Sequence, residues 1–208
     1  MSRIFISYRR DDSQLTCDRI YEYLKSVFGV RQVFRDLDTI PGAADFRTSI
    51  EGALKQCSVL LVVIGPQWVT ITDYQGRRRL DDPNDMVRLE VETAIAKRIP
   101  ILPVMVQGAL IPKVGELPPS LRQIVFQNAR PVRPDPDFNR DMQVVMQDVS
   151  RYVPIPSRRS AWGSMRNATR RVVGFVTGVI ALVAALFAAS TWVNIPIISD
   201  FVKHLLNR

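Results

Sequence analysis

The chain is poor in the side chains that carry nucleophilic and metal chemistry. It has two cysteines, Cys17 and Cys57, and a single histidine, His204, in 208 residues. The lone histidine lies near the carboxyl terminus, so no Ser-His-Asp triad can be built within the N-terminal part. No Cys/His cluster with metal-ligand spacing occurs, which excludes a zinc site, and no metal is expected. Both cysteines fall at apolar-patterned positions of predicted helices, so two buried thiols are expected rather than a disulfide, and cytosolic residence with them. A glycine-rich phosphate loop is also missing. The amino end runs straight into an apolar strand, and no secretory leader is expected.

Charge of one sign is in excess, but not everywhere. Lys and Arg outnumber Asp and Glu 28 to 20, for a formal net charge of +8. Most of the excess follows residue 157, where Arg158, Arg159, Arg166, Arg170, Arg171, Lys203 and Arg208 face only Asp200. A nucleic-acid partner would call for a basic stripe on the folded domain, and none is expected. Arg77-Arg78-Arg79 is the one basic run before that point; it sits in a polar stretch and reads as a solvated loop.

What is present is an alternation of strand and helix. Arg3–Ser7 reads as the first strand. Asp12-Ser13 suits the cap of a helix whose apolar face carries Leu15, Ile20, Leu24 and Val27 or Phe28, and Gly29 ends it. Val30–Phe34 is the second strand, followed by a loop over residues 35–44 containing Pro41-Gly42. Asp45 then caps a helix with Phe46, Ile50, Ala53 and Leu54 on one face. Ser58–Ile64 is an unbroken, largely β-branched run that suits a central parallel strand covered on both sides. Gly65-Pro66 forces a turn, residues 70–85 are loop-like, and Met86–Arg98 is a helix. Ile101–Val106 is a strand whose Pro103 points to an edge or a bulge. Leu121–Phe126 reads as a short fifth strand, and Phe138–Tyr152 as a final amphipathic helix. Such alternation predicts an α/β domain with a doubly wound five-stranded parallel sheet.

From Pro154 the character changes. Residues 154–171 read as a basic linker next to a membrane, and Val172–Val193 contains no charge. Twenty-two residues rising about 1.5 Å each reach roughly 33 Å, enough to cross the hydrocarbon layer. A buried core helix of that length and uniform apolarity is not expected. Trp192 suits an interfacial ring. Five arginines precede the span and only Lys203 and Arg208 follow it, which places residues 1–153 in the cytoplasm and residues 194–208 outside as a short tail. The expected localisation is therefore a single-pass membrane protein with a cytoplasmic N-terminal domain.

The run Ile4-Phe5-Ile6-Ser7-Tyr8-Arg9-Arg10-Asp11-Asp12-Ser13 delivers hydroxyl and guanidinium groups to the carboxyl edge of a sheet, where open α/β folds bind ligands. With Val33–Ala44, Ser58–Trp68 and Met86–Ile95 in this order, it resembles the Toll/interleukin-1 receptor (TIR) domain of the bacterial type, over roughly residues 1–152. The resemblance implies a flavodoxin-like sheet with helices on both faces. A response-regulator receiver has similar topology but needs an aspartate at the end of its central strand, where this chain has Ile64-Gly65. In the family the loop after the second strand contacts other TIR domains, which here implies Arg35, Asp36, Leu37, Asp38, Ile40 and Gly42, with homo-oligomers as the expected assembly. In the NAD-cleaving branch a helix like Met86–Ile95 carries the catalytic glutamate, which implies Glu90. That branch has an aromatic four residues before the glutamate; this chain has Met86. No cofactor is implied, since NAD would be a substrate.

Two readings stand for each of these side chains. On its helix Glu90 lies about 85° from the centre of the Val87, Val91, Ala94 and Ile95 face and Glu92 about 115°, so Glu90 is nearer a pocket rim. It is either that rim residue or a solvated charge paired with Arg88 or Lys97. Arg9 and Arg10 suit a pyrophosphate, or else pair with Asp11, Asp12 or Asp36. Ser7 and Tyr8 either line the same cleft or pack. Trp68 reads as an anchor after the turn. Two functions follow: TIR–TIR assembly that lets Glu90 cleave NAD into nicotinamide and an ADP-ribose product, or a non-catalytic interaction module concentrated on the bilayer.

Overall fold

The computed structural model describes residues 3–35 and 46–156. Five strands, β1 (Ile4–Ser7), β2 (Val33–Arg35), β3 (Val59–Ile64), β4 (Ile101–Val106) and β5 (Arg130–Val132), form one sheet in the order β2-β1-β3-β4-β5. Every pairing is parallel. This is the order of the doubly wound, flavodoxin-like sheet.

Alternation along the strands decides which helices cover which face. Ile4 and Ile6 of β1, with Leu61 and Val63 of β3, pack against Cys17, Ile20 and Leu24 of α1 (Arg10–Phe28) and Met142, Val145 and Val149 of α4 (Phe138–Ser150). Phe5, Leu60, Val62 and Ile64 face the other way, toward Ile50 and Leu54 of α2 (Phe46–Leu54) and Val87, Val91 and Ala94 of α3 (Met86–Ala96). Both apolar clusters lie wholly between Ile4 and Val153, and Met1–Pro156 forms one compact unit by itself. The N-terminal domain therefore carries its own core.

Several boundaries differ from the sequence reading. The segment expected as the fifth strand is part of a 3₁₀ helix, Pro119–Phe126. Its buried residues, Leu121 and Ile124, are three apart, which is the 3₁₀ repeat rather than strand alternation. The fifth strand lies further on, at Arg130–Val132. In that edge strand the ladder's alternation turns Pro131 outward, away from β4, where its missing N–H leaves no bond unmade. Pro103 does not mark an edge, since β4 lies between β3 and β5. The carbonyl of Pro100 accepts from the Leu60 N–H, so alternation points Pro103 toward β5, one residue before that ladder begins at Val104.

The second strand is Val33–Arg35, shorter and later than expected, because residues 30–32 form the turn into it. Helix α1 starts at Arg10, and its regularity breaks at Ser13, where φ is −140°. The break sets the buried stripe at Ser13, Cys17, Ile20, Leu24 and Phe28, so Leu15, expected inside, is 84% exposed. Both thiols are free, Cys17 buried and Cys57 half-buried. Among the described residues no helix is long and apolar enough to cross a membrane; the expected span, 172–193, and its flanks from residue 157 lie outside the described residues.

Candidate active site

Parallel strands all end at one edge of the sheet, and the helices that follow them begin there. At that carboxyl edge the end of β1 meets the start of α3. The residue that joins them is Arg9, only 1% exposed. Its Nη1 and Nη2 each donate to a carboxylate oxygen of Asp85 at 3.0 Å, and its Nε donates to the carbonyl of Trp68, also at 3.0 Å. Asp85 is in turn the cap of α3, accepting from the Arg88 N–H at 3.0 Å. Arg79 extends the network, approaching Asp85 at 3.3 Å and Asp11 at 3.2 Å. A fork of five donors matched to a planar carboxylate suits this buried bidentate contact. The pair fixes the first turn of α3 against β1.

A second tie crosses the same edge. Asp12 accepts from the backbone N–H of Gln67 at 2.8 Å, in the turn after β3. Its carboxylate lies so near Gly65 that a Cβ there would sit 2.3 Å from Oδ2. Glycine is therefore needed at this point for close approach rather than for an unusual backbone angle. Trp68, fully buried, anchors the turn among Ile64, Leu80 and their neighbours, as the sequence reading expected.

Within this frame Glu90 points inward. It is 5% exposed and shares the buried side of α3 with Val87, Val91 and Ala94. The helical wheel had placed it nearer a rim; the structure buries it with that face. Glu90 is buried, not a solvated charge. Arg88 donates to Glu92 at 2.7 Å, and Glu92 also accepts from Ser120. Met86, one turn above Glu90, is half-buried against the same apolar cluster.

The other expected residues separate. Ser7 follows Phe5 by two, so it faces the α3 side; its Oγ is buried and has no hydrogen-bond partner among the described residues. Tyr8 takes the opposite face and packs in the α1/α4 core, so it does not line the cleft with Ser7. Arg9 was expected at a pyrophosphate or on Asp11, Asp12 or Asp36; it is held instead by Asp85, which the sequence reading had left in a loop. Arg10 is exposed at the start of α1. Arg35 forms an ion pair with Asp18 and lies 4.5 Å over the Tyr21 ring, which ties β2 to α1. Asp36, Leu37, Asp38, Ile40 and Gly42 lie outside the described residues. Burial pushes the Cys57 thiol up to about 11, against a smaller opposing pull from Arg3, which disfavours the thiolate. No group of acidic, histidine or cysteine side chains among the described residues is arranged to hold a metal.

The comparisons agree with this architecture. The TIR domain family model matches residues 4–161, three-quarters of the chain, so the protein belongs to the TIR domain family. Among solved structures, the chain is similar to the TIR domains in the activated Roq1 resistosome, which directly recognises the pathogen effector XopQ. The TM-score is 0.52 at 11% identity, covering 71% of this chain and 98% of that one, a likeness of fold. No curated protein matches the chain.

Proposed function

We propose that this is a membrane-anchored TIR protein of signalling or defence, of the bacterial type, whose cytoplasmic domains assemble and then cleave NAD. The observation that carries the catalytic part is the burial of Glu90. The helix that carries Glu90 begins at the carboxyl edge of the sheet, and the Ser7 hydroxyl at the end of β1 is buried on the same side. Nicotinamide is a cationic leaving group, and its departure builds an oxocarbenium-like ribose. A carboxylate beside that ribose stabilises the developing charge or holds its hydroxyls. Assembly through residues 35–42 completes the cleft. The family match and the resistosome likeness support assembly, and the uncharged run 172–193 supports the anchor, which concentrates protomers in two dimensions.

The test is nicotinamide release from NAD by the chain clustered on vesicles. The wild type is expected to release it, and Glu90→Gln to lose at least about a hundredfold. Equal release by both removes Glu90 from the chemistry. Silence of the clustered wild type supports the second reading, a non-catalytic TIR interaction module. Two observations favour that second reading: Met86 replaces a stacking ring, and Arg9 is committed to Asp85.

A further inference from the structure

The amino edge of the sheet is built differently from the carboxyl edge. At the carboxyl edge Arg9, Arg77, Arg78, Arg79 and Arg133 each hold an aspartate. At the amino edge the residues that end a helix or precede a strand include Arg31, Lys55, Lys97 and Arg98. All four are exposed, and none has an ion-pair partner among the described residues. Arg151, also exposed, reaches Asp148 only at 3.5 Å. The acids near this edge are few: Glu22 is taken by Lys25 at 2.6 Å, Asp148 by Arg130 at 2.6 Å, and Glu51 stands on α2. Large apolar side chains are exposed among these cations: Val30, Tyr152, Ile155 and Phe126, the last 76% exposed. Tyr152 borders a hollow of about 120 Å³ with Ile101, Gln127, Arg130 and Arg151.

Arg98 adds a backbone argument. It adopts φ +56° just after α3, where its N–H bonds to Ile95 and the next N–H to Ala94. That left-handed position usually holds glycine, and a non-glycine residue there costs stability. A charge kept at that cost points to use rather than to folding.

We propose that the amino edge docks on an anionic lipid bilayer, with Arg31, Lys55, Lys97, Arg98 and Arg151 at the headgroups and Phe126, Tyr152 and Ile155 in the interface. Exposed cations interleaved with aromatic and aliphatic side chains match a negatively charged lipid surface. Continuity supports the same partner. Helix α4 ends at this edge, and the chain leaves it through Pro156 toward five further arginines and the uncharged stretch 172–193. Docking in this orientation turns the carboxyl edge, with Glu90, away from the lipid and toward solvent. The proposal rests in part on the membrane reading above, through this continuity, while its test does not need the span.

Residues 1–156, which hold both cores and lack the span, test it by co-sedimentation with vesicles of phosphatidylcholine alone or with phosphatidylserine added. Binding is expected only with phosphatidylserine and is expected to fall with salt. The double variant Lys97→Glu/Arg98→Glu is expected to weaken it at least tenfold, while Arg140→Glu, an exposed change at the carboxyl edge, leaves it unchanged. Arg98→Gly is expected to weaken binding severalfold while raising thermal stability, a combination that a purely structural role would not give. Equal loss in Arg140→Glu and the double variant, absence of binding to anionic vesicles, or tighter binding to duplex DNA than to vesicles would each overturn the proposal. The span is tested separately, by whether the full chain stays in phosphatidylcholine vesicles after alkaline extraction; loss there leaves the docking result standing.

Discussion

The two edges of one parallel sheet use charge in opposite ways. At the carboxyl edge arginines turn inward or sideways onto aspartates, and the Arg9–Asp85 pair is nearly inaccessible to solvent. At the amino edge Arg31, Lys55, Lys97 and Arg98 stand exposed, without ion-pair partners among the described residues. Parallel topology creates this division, since every strand starts at one edge and every helix after it starts at the other. The lesson is that a charge run in sequence carries little meaning until topology assigns it an edge. Arg77-Arg78-Arg79, the most conspicuous basic run of the domain, is spent on Asp73, Asp81, Asp85 and Asp11. The dispersed Arg31, Lys55, Lys97 and Arg98 form the exposed basic face.

The comparison is broken most severely by removing half of the buried pair. Asp85→Ala leaves the Arg9 guanidinium buried without its carboxylate and removes the cap of α3. The expected loss is about 3–5 kcal/mol in chemical unfolding. A loss under about 1 kcal/mol would mean that the carboxyl edge is no more committed than the amino edge. Next in size is Gly65→Ala. The added methyl meets the Asp12 carboxylate, so the Asp12 bond to Gln67 must shift, at about 1–3 kcal/mol. The companion Gly52→Ala, on α2 with open space at its Cβ, is expected to be neutral or slightly stabilising. Equal costs at the two glycines would refute the close approach.

The amino edge sharpens the contrast with the opposite sign. Arg98→Gly relieves the left-handed backbone and is expected to raise stability by about 0.5–1 kcal/mol, read as a higher melting temperature. Destabilisation would show that the guanidinium serves the fold after all. The smallest effect concerns pH. The hydrogen bond from Arg133, then the Arg133 backbone N–H and charge, hold Asp141 below the ordinary carboxylate range. Its folded value lies under its unfolded one, so its contribution is present above the ordinary aspartate value and is lost as pH falls through and below it. Asp141→Asn is expected to flatten that acid limb slightly, because Arg133 is half exposed and solvent screens the pair. An unchanged acid limb would remove the pair from the stability of the β5–α4 corner.

Much of the fold was legible because the strands β1, β3 and β4 are continuous apolar runs and the helices carry strong periodicity. The fifth strand was not. Its three residues include a proline, and a more apolar segment beside it follows the 3₁₀ repeat instead. Of the candidate site, the inward bias of Glu90 over Glu92 was visible in helical spacing, and Trp68 was visible as an anchor. The partner of Arg9 was not, because Asp85 lies 76 residues away and no local pattern joins them. Leu15 was misplaced because the break at Ser13 shifts the helical phase, and nothing in the sequence of Asp12-Ser13 distinguishes a cap from a break.

The proposed NAD cleavage turns on Glu90, buried on α3. The direct measurement is the unfolding free energy of Glu90→Gln set beside its nicotinamide release. Stability within about 1 kcal/mol of wild type, or above it, with release abolished is the expected result. Retained release, or a loss of about 3 kcal/mol or more that accounts for the lost activity by unfolding, would contradict it.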